Sequence, residues 1–113
     1  MFAKENRLRR KKDIGMVFRK GEVASSGSFF VKYAPGRDNV SRFTVIVGTK
    51  SGLKAVGRNL LKRRIRAILQ DAKIGRKKTI FLVAGVRGRF VKVPKFAEIK
   101  SHISQCLEKL RLL

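Results

Sequence analysis

The densest ionic chemistry in this sequence sits in one short stretch that carries Arg58, Asn59, Lys62, Arg63 and Arg66. Successive residues of a helix turn by about 100°, which gathers these five side chains into a single arc of roughly 140°. No acidic residue stands between Asp38 and Asp71, so the arc has one sign. A solvated helix face usually mixes acids with bases, whereas a purely cationic face suits a polyanion. Lys and Arg neutralise phosphates and release counterions, giving strong, salt-sensitive affinity, and Asn59 adds a directed hydrogen bond. Tyr33 and the phenylalanines offer flat surfaces on which unpaired bases stack, provided some face outward.

Other chemistries find little support. The carboxylates Glu5, Asp13, Glu22, Asp38, Asp71, Glu98 and Glu108 are scattered singly, and no spacing sets two of them around a shared cation. His102 is the one histidine and Cys106 the one cysteine, so neither acid–base pairs nor a thiol or imidazole metal site is expected. His102 reads as a surface residue in mid-helix, and Cys106 as a buried helical position beside Ile103 and Leu107. No glycine-rich run ends in Gly-Lys-Ser or Gly-Lys-Thr, and the Gly85-Val86-Arg87-Gly88 run lacks the full dinucleotide fingerprint. No protein-based catalytic residue and no protein-held metal is expected.

These residues must be positioned by a chain of 113 residues with 29 Lys or Arg against 7 Asp or Glu, a net charge of +22. That length predicts one domain, residues 1–113. A hydrophobic share of 43% is ordinary for a folded protein rather than a basic tail. The longest apolar runs, such as residues 80–84, are strand-length, and the N-terminus lacks the apolar stretch of a secretory signal. A cytoplasmic location without membrane attachment is expected.

Ile14, Val17 and Phe18 have the spacing of a short amphipathic helix that Gly21 ends. A short strand at 22–24 and strands at 29–33 and 43–47 follow, the last two reading as a hairpin through the turn-forming residues 35–39. Ser51-Gly52 opens the longest helix, whose apolar face holds Leu61, Ile65, Ile68, Leu69 and Ala72 and whose stop is Gly75. Residues 79–84 read as a buried strand and 85–89 as a mobile connection. Pro94 starts a last helix with the stripe Phe96, Ile99, Ile103, Cys106, Leu107 and Leu110. Phe43, Phe81, Phe90 and Phe96 are expected to pack inside. The order helix, strands, helix, strand, helix predicts a small α/β (α+β) domain, a sheet covered by helices.

Residues 50–66, Lys-Ser-Gly-Leu-Lys-Ala-Val-Gly-Arg-Asn-Leu-Leu-Lys-Arg-Arg-Ile-Arg, resemble the basic helix of the bacterial ribonuclease P protein component, where Ala-Val-x-Arg-Asn-x-x-Lys-Arg-x-x-Arg recurs. Asn6-Arg7-Leu8 with Asp13-Ile14-Gly15-Met16-Val17-Phe18-Arg19-Lys20-Gly21 resembles the family's opening, and Phe30-Val31-Lys32-Tyr33 its early strand. Leu60 stands where the family usually adds a further arginine, Ile14 where an aromatic is common, and Gly85 where Ala-Arg often follows the last core strand.

The resemblance implies a mixed sheet with a left-handed βαβ crossover around the basic helix, against the usual hand. It also implies an accessory subunit of an endoribonuclease: a catalytic RNA removes the 5′ leader of precursor tRNA, using Mg2+ held by the RNA. By this match Lys50, Arg58, Asn59, Lys62, Arg63 and Arg66 contact the catalytic RNA, and Ile14, Phe18 and Tyr33 line a central cleft for the leader. The implied partners are that RNA and precursor tRNA, with no obligate protein partner. The rival reading is a ribosomal or other structural RNA-binding protein outside any enzyme.

Overall fold

The computed structural model describes residues 3–37, 39–76 and 78–113. Its elements run α1 (Lys11–Lys20), β1 (Glu22–Ser26), β2 (Phe29–Pro35), β3 (Arg42–Ile46), α2 (Ala55–Asp71), β4 (Ile80–Val86) and α3 (Phe96–Lys109). The four strands form one sheet in the order β1-β2-β4-β3. β1 with β2 and β2 with β4 are antiparallel, whereas β3 and β4 run parallel and are joined through α2.

The expected hairpin between the strands at 29–33 and 43–47 does not form, because β4 lies between them. The reason is in β4 itself, Ile-Phe-Leu-Val-Ala-Gly-Val, in which residues 80–85 are all buried. A strand apolar on both faces belongs in the middle of a sheet, with a neighbour on each side. The hairpin instead joins β1 and β2 through Gly27-Ser28, where Gly27 takes φ 57°, open to glycine at no steric cost. Of the expected turn at 35–39, Asp38 lies outside the described residues.

Strand alternation sorts the side chains into two layers. Phe29, Val31, Tyr33, Phe43, Val45, Ile80, Leu82 and Ala84 face α2 and α3, meeting Leu61, Ile65, Ile68, Leu69, Ile99, Ile103, Cys106 and Leu107. Phe30, Ala34, Phe81 and Val83 face the other way, toward Leu8, Met16 and Val17, with Ile14 packed at the margin. Burial pushes the Cys106 thiol up from its ordinary pKa, a smaller opposing effect coming from the Lys109 charge.

The helix limits refine the expectations. α1 ends at Lys20, where the backbone turns extended at Gly21, and a Cβ there would stand 2.8 Å from the Tyr33 carbonyl oxygen. Ser51-Gly52 belongs to a separate 3-10 turn, and α2 starts at Ala55 and ends at Asp71, four residues before Gly75. Pro94 precedes α3 rather than starting it, its carbonyl accepting a 2.6 Å hydrogen bond from the Arg64 guanidinium. Gly85 and Val86 are part of β4, not of a mobile connection. Phe96, at the open first turn of α3, is 40% exposed and so outside the core, unlike Phe43 and Phe81.

The free edge of β3 is shielded by the N-terminal segment: Arg7 bridges to Phe43, and the Leu8 N–H donates to the Phe43 carbonyl at 2.8 Å. Covering an edge in this way removes a template for aggregation.

Candidate nucleic-acid interface

α2 buries Leu61, Ile65, Ile68 and Leu69. That orientation turns the rest of the helix outward, so Asn59 and Arg63 are exposed and Arg58, Lys62 and Arg66 half-buried. Lys50 is exposed on the 3-10 turn before it. One member of the arc has an internal task as well: Arg58 Nη1 donates to the Leu53 carbonyl at 2.7 Å, fixing the approach to the helix. Leu60, half-buried, takes no part in the core cluster.

The arc continues beyond α2. A cleft of about 230 Å³ is lined by Arg66 together with Arg7, Leu8, Arg9, Phe43, Thr44 and Val45. The edge-covering N-terminal segment therefore brings two further guanidinium groups to the cationic face. Arg7 and Arg9 are not legible as partners of Arg66 in the sequence, since the pairing of the N-terminal segment with Phe43 on β3 brings them there.

A second surface lies on the opposite layer, along the sheet beside α1. Phe18, 39% exposed, sits with its ring centroid 6.4 Å from that of Phe30. Lys32 Nζ stands 5.0 Å from the Phe18 ring centre and donates to the Phe18 carbonyl at 3.1 Å. The Arg87 guanidinium lies 4.8 Å from the Phe30 ring centre. Exposed Val23 and Ile46 occupy the same sheet face on β1 and β3. Flat rings held between cations, with apolar margins, form a surface on which unstacked bases and a phosphate backbone bind together.

Ile14 and Phe18 meet on this face, but Tyr33 does not join them. As a neighbour of Lys32 on a strand it points to the opposite layer, where it is only 7% exposed. Its hydroxyl donates to Glu22 Oε2 at 2.7 Å, and Lys78 Nζ lies 5.6 Å from its ring centre. The Glu22 hydrogen bond, then burial, then the Glu22 charge hold the Tyr33 pKa above its ordinary value. A pKa raised by folding gives stability that is whole below the unfolded pKa, near 10, and is lost as pH rises through the folded one. Tyr33→Phe is expected to cost about 1 kcal/mol at neutral pH. Denaturant titrations at rising pH should show the gap to wild type narrowing once the pH passes about 10; a constant gap would contradict the Glu22 pairing.

His102 is not the plain surface residue expected. It stacks on Phe29 with centroids 5.3 Å apart, and its Nδ1 lies 2.8 Å from the Ser26 hydroxyl, tying the β1–β2 hairpin to α3. Among the described residues no group of three or more His, Cys, Asp and Glu is arranged to hold a metal ion. No described helix is long and apolar enough to cross a membrane.

Comparison with known proteins agrees with this geometry. The family model for ribonuclease P matches residues 2–111. The ribonuclease P protein component of Phytoplasma australiense is 31% identical over 107 residues, 94% of this chain and 91% of that one. That of Petrotoga mobilis is 42% identical over 72 residues, spanning 64% of this chain and 60% of the relative. A solved structure of the Staphylococcus aureus RNase P protein superposes with a TM-score of 0.82 at 21% identity, covering 96% of this chain and 98% of that one, and so shares the fold. With nearly its whole length matched by the family model, and a ribonuclease P protein component 31% identical over 94% of it, the chain belongs to the ribonuclease P protein family.

Proposed function

We propose that this chain serves ribonuclease P by binding two RNAs at once, the catalytic RNA through α2 and the 5′ leader of precursor tRNA through the sheet face beside α1. One observation carries the proposal: the acid-free cationic arc of α2 and the Phe18–Phe30 ring pair with its two cations lie on opposite layers of one small sheet. Two RNA segments then bind without competing for the same side chains.

On the first surface Lys50, Arg58, Asn59, Lys62, Arg63 and Arg66 contact the catalytic RNA, joined by Arg7 and Arg9 at the Arg66 end. On the second, Ile14 and Phe18 support the leader from α1, while Tyr33 steadies the far side of β2 through Glu22. In this reading hydrolysis belongs to the RNA subunit together with its Mg2+. The protein acts by differential binding: holding the leader favours precursor over mature tRNA, and neutralising nearby phosphates favours magnesium occupancy on the RNA. Stacking and backbone contacts make leader binding tolerant of sequence. Cytoplasmic location follows from this reading, as that of the RNA it serves.

The test is the affinity of the assembled protein–RNA complex for tRNA with and without a 5′ leader. Tighter binding of the leadered form, absent when the catalytic RNA is used alone, is expected. Equal affinities would remove the leader from the account.

A further inference from the structure

Past Arg66 the cationic track of α2 leads into a second cleft, of about 570 Å³, at the C-terminal end of the helix. With about 100° per residue counted from Arg58, Gln70 falls at about 120°, inside the arc, and Asp71 at about 220°, outside it. Phe43, which walls the cleft that Arg66 shares with Arg7 and Arg9, also lines this one beside buried Leu69, so the two clefts adjoin. Exposed Lys73 and Arg76 bring two more cations, Asn6 and Asn39 bring carboxamides, and no acidic residue is part of the lining.

The walls come from three separate segments of chain that Ser41 ties together. Its hydroxyl donates to the Gly75 carbonyl at 2.8 Å and accepts from the Ile80 N–H at 3.1 Å, while its carbonyl accepts from Asn6 Nδ2 at 2.9 Å. Gly75 takes φ 78°, and a Cβ on it would stand 2.7 Å from the Ser41 hydroxyl oxygen, so this closure needs glycine. The Asn6 amide is thereby fixed with its Oδ1 left as an acceptor, and the exposed Asn39 amide pairs with no described residue.

We infer that this cleft receives one unpaired adenosine of the catalytic RNA, its base read by the Asn39 and Asn6 amides and its phosphates held by Lys73 and Arg76. The inference rests on the reading that α2 contacts that RNA, and adds to it a contact that selects a base. Cations alone bind phosphates without regard to sequence, whereas an asparagine amide offers the adjacent donor and acceptor that match N6 and N7 of adenine. Those atoms lie in the deep, narrow groove of an RNA duplex, which side chains do not enter, so the nucleotide must be unpaired. Phe43 and Leu69 supply the apolar surface that covers such a base once it leaves its stack.

The test binds the protein to ribonuclease P RNA across a range of salt concentrations, and probes the RNA with dimethyl sulfate, which methylates unpaired adenine and cytosine. Lys73→Gln with Arg76→Gln is expected to lower the log–log salt slope by about two units, one for each phosphate contact. Asn39→Ala is expected to weaken binding by about tenfold at every salt concentration with the slope unchanged, as for a lost base contact. Wild-type protein should shield an unpaired adenine that Asn39→Ala leaves reactive. If replacing Lys62, Arg63 and Arg66 together with alanine leaves the slope intact, the α2 reading itself fails. If that replacement flattens the slope while both cleft variants bind as wild type, the α2 reading stands and the cleft is overturned. A loss of slope in the glutamine pair with Asn39→Ala neutral overturns the base contact and leaves a merely electrostatic extension. A shielded cytosine in place of the adenine overturns the base assigned.

Discussion

Replacing Lys62, Arg63 and Arg66 together with alanine will flatten the salt dependence of binding to ribonuclease P RNA by about three log–log units, one for each phosphate contact removed. Each lost charge-assisted contact costs more than 1 kcal/mol, so affinity at moderate salt should fall by at least about a hundredfold. The side chains are exposed or half-buried and lie away from the buried stripe of α2, so the fold should persist. An equilibrium binding series across salt concentrations, with circular dichroism as a check on folding, measures both effects. Lys100→Ala, an exposed cation on α3, is the comparison. It should leave the slope unchanged if contacts are local to α2. An equal loss from Lys100→Ala would mean that the overall charge, and not the arc, governs binding.

Sulfate will raise the melting temperature of the free protein by about 10 °C over chloride at equal ionic strength. A net charge of +22 on 113 residues opposes compaction. The folded state concentrates part of that charge where Arg7, Arg9 and Arg66 share a cleft and where Lys4, Arg7, Arg9, Arg10 and Arg42 line another, with Asp13 the one acid among them. An anion that binds these clefts only when they are assembled stabilises by mass action, about 2.7 kcal/mol at a hundred times its dissociation constant. For a domain of this size each kcal/mol moves the midpoint by roughly 4 °C or more. Thermal melts in the two salts decide the matter: coincident curves would show that the clefts hold no anion specifically.

The helices are legible from spacing because each has one apolar stripe and a charged remainder. Ile14, Val17 and Phe18 mark α1, Leu61 to Leu69 mark α2, and Ile99 to Leu107 mark α3, and the cationic arc of α2 follows from the stripe that opposes it. The sheet is less legible. Sequence neighbours suggest that β2 pairs with β3, and only the double-sided burial of β4 explains why it takes the central place between them. That signal is present in the unbroken apolar run at 80–84.

The leader face shows the same division. Tyr33 attracts notice as the one tyrosine, yet strand parity sends it to the opposite layer and puts Phe30 and Lys32 on the face with Phe18. Residues 81, 83 and 85 of β4 share the Phe30 face through the β2–β4 register, and Arg87, just past the strand, lies over the Phe30 ring. The side-chain partners of His102 are separated from it by more than seventy residues and depend on how the hairpin meets α3. Such contacts have no local signature.

The central claim is that this protein helps an RNA catalyst rather than cutting RNA itself. Its most direct test is cleavage of precursor tRNA at low magnesium by a bacterial ribonuclease P RNA, with and without the protein. Strong stimulation by the protein, and no cleavage by the protein alone, is the expected result. Tight binding to the RNA with no gain in cleavage would contradict the account and favour a structural RNA-binding role, and cleavage by the protein alone would place the chemistry on the chain itself.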